Sequence, residues 1–203
     1  MDKNSILTTA LIIFVRHPEL GKVKTRLAKV IGDEKALNIY KQLLNHTHQI
    51  TSPLNCRKFV YYAEDVIEHD LWSSPGFTKR KQSGNDLGER MATAFKDLFD
   101  QGFQKVLIIG SDCYQLKTDI LQEAIHFLGI KEAVIGPTFD GGYYLLGTNR
   151  FVPKMFADKP WSTDQVTKQT LEDLDRLNLS YHLLKKLHDV DEAADLEVNQ
   201  IFI

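Results

Sequence analysis

Cysteine is scarce in this chain: Cys56 and Cys113 are the two among 203 residues. Two thiols cannot form a disulfide framework or a cysteine metal cage, so both are expected to be reduced. Long apolar runs are missing as well. The longest, Ala10–Val15, has strand length and falls far short of the roughly 18 residues needed to span a bilayer. Charge of one sign is not in excess. The 25 basic and 27 acidic residues leave a net charge of −2, which excludes a global basic field for gripping nucleic acid. Met1-Asp2-Lys3-Asn4 carries no apolar signal region, so a cytoplasmic protein is expected. Repeats, low-complexity tracts and Gly/Ser/Pro linkers are lacking, and residues 1–203 read as a single domain. What the chain does have is 43% hydrophobic residues, enough for a substantial core and too many for a disordered chain.

Strand and helix patterns alternate along it. Thr8–Val15 is apolar without polar alternation, as in a strand buried on both faces. Phe59–Ala63, Phe77–Gln82, Val106–Ile109, Ala133–Ile135, Tyr143–Leu146 and Tyr181–Leu187 read as further strands. Between them, helical stripes are predicted after Asp33, after an Asp86–Glu89 capping box, before Gly129 and after a Ser162–Gln165 capping box. Asp191 is expected to open a short last helix. The alternation implies a three-layer α/β sandwich around a mainly parallel mixed sheet. Ligands of such sheets bind at the carboxyl ends of the strands.

The segment after the first strand holds Arg16, Lys22, Lys24 and Arg26 against one acid, Glu19. Gly21 allows close backbone approach, and a helix beginning near Lys24 would favour anions. This suits phosphate binding; a solvated basic loop is the plain alternative. It is not a Walker A loop, because Val23 follows Gly21-Lys22 where Ser or Thr is needed. Asp112 stands at the tip of the Val106–Ile109 strand, either as a ligand or as a turn cap. Five acids fall between Asp189 and Glu197. If Asp112 converges with Asp189 or Asp191, the pair forms a hard oxygen site for Mg2+ or Mn2+. Asp140-Gly141-Gly142 is a turn whose backbone could approach a sugar, with Asp140 accepting hydroxyl hydrogen bonds. Gln82 to Gly88, including Gly84 and Asp86, could wrap a flat base, although helix capping alone accounts for Asp86. The seven histidines show no ligand spacing, and His46 and His48 read as surface residues. Cys113 lacks a basic partner and reads as buried packing.

Together these segments resemble the bacterial family of glycosyltransferase-like proteins known as DUF2064, in the nucleotide-diphospho-sugar transferase superfamily with the GT-A fold. The matching stretches are Phe14-Val15-Arg16 with Gly21–Leu27, then Asp86–Met91, Gly110-Ser111-Asp112-Cys113, Asp140–Gly147, Trp161-Ser162-Thr163, and Asp189–Glu192 with Asp195-Leu196. Each is weak alone; six in order, covering nearly the whole chain, are specific. The resemblance implies a nucleotide over the strand ends, with the basic loop on its phosphates and Gln82–Gly88 near base or ribose. It implies Asp112 as the central metal aspartate and Asp191 as the late metal ligand. Asp140 and Trp161–Thr163 would face the sugar or acceptor. The chain departs from the family pattern at Tyr114, where proline is expected. One acid also stands where many GT-A transferases carry Asp-x-Asp, and the first loop lacks the Gly-Gly-x-Ser-x-Arg pattern of sugar nucleotidyltransferases.

The expected activity is metal-dependent transfer from a nucleotide-activated donor, a nucleotide sugar, to a small-molecule acceptor. Asp112, Asp140 and Lys24 are the expected catalytic residues, Asp140 activating the acceptor and Lys24 neutralising the leaving diphosphate. Two alternatives are a nucleotidyltransferase releasing pyrophosphate and a non-catalytic nucleotide-binding protein.

Overall fold

A computed structural model describes residues 8–201. Met1–Asn4, read above for a missing signal region, lie outside the described residues. Among the described residues, seven strands form one sheet: β1 (Thr9–Val15), β2 (Arg57–Tyr62), β3 (Phe77–Lys81), β4 (Lys105–Ile109), β5 (Ala133–Pro137), β6 (Tyr143–Thr148) and β7 (Tyr181–Leu183). Their spatial order is β3-β2-β1-β4-β6-β5-β7. The β1–β2, β2–β3, β1–β4 and β5–β7 pairs are parallel, whereas β6 runs antiparallel to both neighbours, β4 and β5. The helices are α1 (Thr25–Ile31), α2 (Asp33–Thr51), α3 (Leu87–Asp100), α4 (Thr118–Phe127), α5 (Val166–Arg176) and α6 (Ala193–Val198).

Alternate residues of β1 explain the three layers. Leu11, Ile13 and Val15 pack with Tyr40 and Leu44 of α2 and with Leu121, Ala124 and Leu128 of the α4 region. Ala10 and Ile12 point the other way, onto Met91, Ala94, Phe95 and Leu98 of α3 and Leu174 of α5. Both faces of the strand are covered, so its sequence is apolar throughout. A satellite cluster joins Leu27 of α1 and Ala36, Ile39 and Leu43 of α2 to Val190, Leu196 and Ile201. That cluster clamps the last segment of the chain over the sheet's carboxyl edge. Among the described residues, no helix is long and apolar enough to cross a membrane.

Several local expectations are corrected. Asp33 is the first residue of α2 rather than its cap, a place taken by Gly32. Asp86 caps α3 through the Glu89 amide, but the Glu89 carboxylate accepts from the Asn85 amide rather than from Asp86. Ser162 caps nothing: it adopts φ 64°, and α5 starts at Val166 behind Gln165. Tyr181–Leu187 is broken after Leu183, with a single bridge resuming between Leu187 and Thr138. The interruption faces the irregularity at Gly136/Pro137 of β5. His46 and His48 are half-buried rather than surface side chains. His46 bonds the Leu116 carbonyl, and His48 bonds Ser74 and stacks on Phe77.

Candidate functional site

A cleft of about 700 Å³ lies over the carboxyl ends of β1, β2 and β4. One wall carries Arg16, Lys24 and Arg26 from the segment after β1. Asp112 and Asp191 form the floor beside them, with Asp189 and Asp140 further along. Gln82, Asn85, Asp86, Leu87 and Arg90 line the side toward α3. Gly142, Trp161, Ser162 and Thr163 line it as well, with Trp161 lying against Gly88 at the start of α3.

Four expected site residues do not line it. Lys22 is exposed and paired with Glu19 at 2.6 Å, and Gly21 is exposed beside it. Gly84 packs against the first turn of α3, and Gly141 against the backbone of Asp164.

The site is assembled by backbone hydrogen bonds from distant parts of the chain. Tyr40 of α2 sends its hydroxyl to the end of β1, where it accepts from the Arg16 amide at 2.9 Å and donates to the Arg16 carbonyl at 3.2 Å. The same hydroxyl lies 3.5 Å from Ser111 Oγ. Tyr40 thereby ties the β1 loop to the β4 loop. The sequence shows it merely as one more residue on an apolar stripe. The Val190 amide donates to the Asp112 carbonyl at 2.9 Å, and its side chain is buried in the satellite cluster. This fixes Asp189 and Asp191 beside Asp112. Gly110 leaves room for the Asp112 carboxylate to fold back, since a Cβ there would stand 2.7 Å from Oδ1.

Lys24 is the residue on which the acids converge. Its Nζ lies 2.8 Å from Asp191 Oδ1 and 3.5 Å from Asp112 Oδ2. The lysine side chain is 7% exposed, whereas Asp112 and Asp191 are 41% and 44% exposed. Its backbone is left-handed, φ 47° and ψ 45°, a conformation that costs a residue with a side chain about 1–3 kcal/mol. Burial disfavours the charged ammonium, but the Asp112, Asp191 and Asp189 carboxylates outweigh it and raise the Lys24 pKa. Asp191 is itself held below the ordinary carboxylate range: burial opposes this, and Lys24, Arg26 and Arg16 overcome it. Asp189 goes the other way. Burial, then the Asp112, Asp140 and Asp191 carboxylates, push it up to about 7.

Asp191 does not cap the last helix. Glu192 is the N-cap of α6, and the Asp195 carboxylate accepts from the Asp191 and Glu192 amides. The Asp191 side chain is thus left for the cleft. Asp140 has a share in the β5–β6 turn, its Oδ1 accepting from Thr138 Oγ1 and from the Gly142 amide at 3.0 Å. Cys113 is buried, its thiol directed at the His188 carbonyl.

The arrangement suits an anionic ligand that brings a hard cation with it. Asp112 and Asp191 offer carboxylate oxygens around one cation position. Mg2+ is commonly held by one or two carboxylates with substrate phosphates completing its shell. Among the described residues no trio of His, Cys, Asp or Glu is placed to hold a metal by itself.

Residues 47–163 match the family described as "Uncharacterized protein conserved in bacteria (DUF2064)". A "putative nucleotide-diphospho-sugar transferase" from Desulfovibrio desulfuricans G20 is similar in structure and sequence. It has a TM-score of 0.87 and 35% identity over 94% of this chain and 85% of that one. Two more distant structures share the fold alone. A CMP:2-keto-3-deoxy-manno-octonic acid synthetase complexed with CTP has a TM-score of 0.60 and 9% identity, covering 96% of this chain and 98% of that one. The 4-diphosphocytidyl-2C-methyl-D-erythritol synthase from Anaerococcus prevotii DSM 20548 has a TM-score of 0.59 and 12% identity, over 97% and 96%. No curated protein matches the chain. With more than half its length under the family's pattern and a relative of 35% identity along nearly all of it, the chain belongs to the DUF2064 family, on the fold of the nucleotide-diphospho-sugar transferases.

Proposed function

We propose that the chain is a transferase acting on a nucleotide-activated donor, specifically a nucleotide sugar, with Mg2+ or Mn2+ held by Asp112 and Asp191. The observation that carries this reading is the meeting of Lys24, Asp112 and Asp191 at the carboxyl ends of the strands, with Arg16 and Arg26 beside them. The likeness to the "putative nucleotide-diphospho-sugar transferase" of Desulfovibrio supports the same reading.

The three cations hold the donor's phosphates. Gln82, Asn85 and Asp86 lie where the base or ribose would rest, over the ends of β2 and β3. Asp140, Gly142 and Trp161–Thr163 face the sugar and acceptor. The Thr138 and Gly142 donors occupy Asp140 Oδ1, which leaves Oδ2 to receive an acceptor hydroxyl. A bound metal supplies positive charge to the diphosphate leaving group. Arg16 and Arg26, beside the same aspartates, neutralise the charge that develops on it.

A second reading, nucleotidyl transfer from an NTP to a phosphorylated metabolite, is favoured by the lone acid in Gly110-Ser111-Asp112. Both readings require nucleotide and metal to bind together. Thermal melting with UDP, GDP, CDP, ADP or TDP, with and without Mg2+ or Mn2+, tests this. A nucleotide at 100 times its dissociation constant stabilises by about 2.7 kcal/mol, a rise of roughly 5–11 °C for a chain of this size. No shift with any nucleotide at millimolar concentration overturns the proposal.

A further inference from the structure

We infer that Lys24 is the resident counter-ion of the Asp112–Asp191 pair and exchanges with the divalent cation, moving to the donor's phosphates as the metal enters. The inference rests on the proposed reading of the two aspartates as metal ligands, and it adds how loading of that site is regulated.

The geometry allows one cation between the carboxylates. Lys24 Nζ stands 2.8 Å from Asp191 Oδ1, a direct charge-assisted hydrogen bond, and 3.5 Å from Asp112 Oδ2. A dication drawn to the same oxygens meets the ammonium at contact distance, so the two repel. Asp112 and Asp191 are open to the cleft, whereas the lysine side chain is nearly covered. The metal therefore reaches the carboxylates from the cleft, and engaging the oxygens that Lys24 now holds requires the ammonium to leave.

The lysine has somewhere to go. Its backbone is fixed by the left-handed turn at the start of α1, while its four-carbon stem is flexible. Arg16 and Arg26 line the same cleft, and a diphosphate between them supplies the anion that a displaced ammonium needs. Metal alone must evict Lys24 into a cationic wall. Phosphate alone draws Lys24 off and leaves two carboxylates uncompensated. With both present, each charge finds a partner. Metal and nucleotide are thus expected to bind with positive coupling, and the coupling is reciprocal.

Mn2+ binding followed by electron paramagnetic resonance reads this without any turnover. Lys24→Met should bind Mn2+ about tenfold tighter than the wild type in the absence of nucleotide, within the ordinary range of coupling between ligands. UDP or CDP should raise the wild type's Mn2+ affinity by a clearly larger factor than that of Lys24→Met, in which only the direct contact between metal and phosphate remains. A measurement on the unaltered chain guards against a folding defect in the variant. Acetic anhydride labelling of Lys24, read by mass spectrometry, should be slow in the metal-free protein and faster with Mn2+ alone. Equal or weaker Mn2+ binding by folded Lys24→Met, or labelling of Lys24 that Mn2+ does not change, overturns the exchange and leaves the metal reading standing. Absence of Mn2+ binding to either protein, with or without nucleotide, overturns the metal reading and the exchange with it.

Discussion

The Trp161 indole lies so close to Gly88 that a Cβ at position 88 would stand 2.5 Å from its Nε1 and collide with the Phe156 carbonyl oxygen. The first turn of α3 and the loop before α5 are therefore fitted to one another along the cleft. Gly88→Ala forces the loop or the helix to shift, because a backbone oxygen is among the obstacles. Overpacking of this kind costs about 1–3 kcal/mol, and melting should fall by roughly 2–12 °C. An unchanged melting temperature contradicts the packing described.

The same residue provides an optical probe. Trp161 and Trp72 are the two tryptophans. Trp161 lines the cleft, and Trp72 is a buried residue of the β2–β3 connection. In Trp72→Phe, nucleotide with Mn2+ should change the remaining fluorescence. In Trp161→Phe it should not. A response carried by Trp72 alone places the ligand elsewhere.

A buried ion pair holds the Trp161 loop in place. Lys159 Nζ lies 2.5 Å from Asp173 Oδ2 in α5, with the two side chains 1% and 9% exposed. The Trp161 amide donates to the Lys159 carbonyl two residues back. Lys159→Met strands Asp173, which then keeps only Arg176 at 3.3 Å. Breaking a buried pair in this way costs about 3–5 kcal/mol, with Arg176 keeping the loss toward the lower figure. Replacing both partners, Lys159→Met with Asp173→Leu, should recover most of it. Calorimetry of the three proteins checks this; a double variant no better than the single one counts against it.

Alkaline pH should weaken the fold through its thiols. Burial pushes Cys56 up to about 11 and, with the Asp112 charge beside it, Cys113 up to about 12. Unfolded thiols ionise near pH ~8.5. The folded chain thus keeps protons that the unfolded chain releases. Stability is full below about pH 8.5 and falls as pH rises through the folded values. Buried tyrosines such as Tyr40 act in the same direction at higher pH. Cys56→Ala with Cys113→Ala should flatten the slope between about pH 8.5 and 10 in denaturant titrations. The wild-type thiols should also resist Ellman's reagent at about pH 8, since the thiolate is the reactive form. Prompt labelling of either one refutes their burial.

The sheet was legible where local chemistry decides it. Thr9–Val15 is apolar throughout because α2 and α4 cover one face of β1 and α3 and α5 the other. Helix starts were less legible. Ser162 and Gln165 have capping-box spacing, but the chain there is pinned by tertiary contacts: the Thr167 amide donates to the Gly141 carbonyl, and Thr167 Oγ1 to that of Gly142. Asp191 looks like a cap because the box formed by Glu192 and Asp195 begins one residue later. The acids and cations of the cleft could be picked out by their places after the strands. Their mutual arrangement could not. Lys24 lies 88 positions from Asp112 and 167 from Asp191, and nothing local encodes that meeting. Tyr40 escaped for a related reason, since its hydroxyl gains meaning only against the end of β1.

The most direct test of the central proposal is product release. The protein is incubated with pooled nucleotide sugars and Mg2+ or Mn2+, and separately with pooled NTPs and sugar phosphates. Nucleoside diphosphate and pyrophosphate are assayed in both. Transfer from a nucleotide sugar, or its slow leakage to water, releases nucleoside diphosphate in the first incubation, only with metal, and not in Asp112→Asn or Asp191→Asn. Pyrophosphate in the second incubation with no diphosphate in the first would contradict glycosyl transfer and establish nucleotidyl transfer in its place.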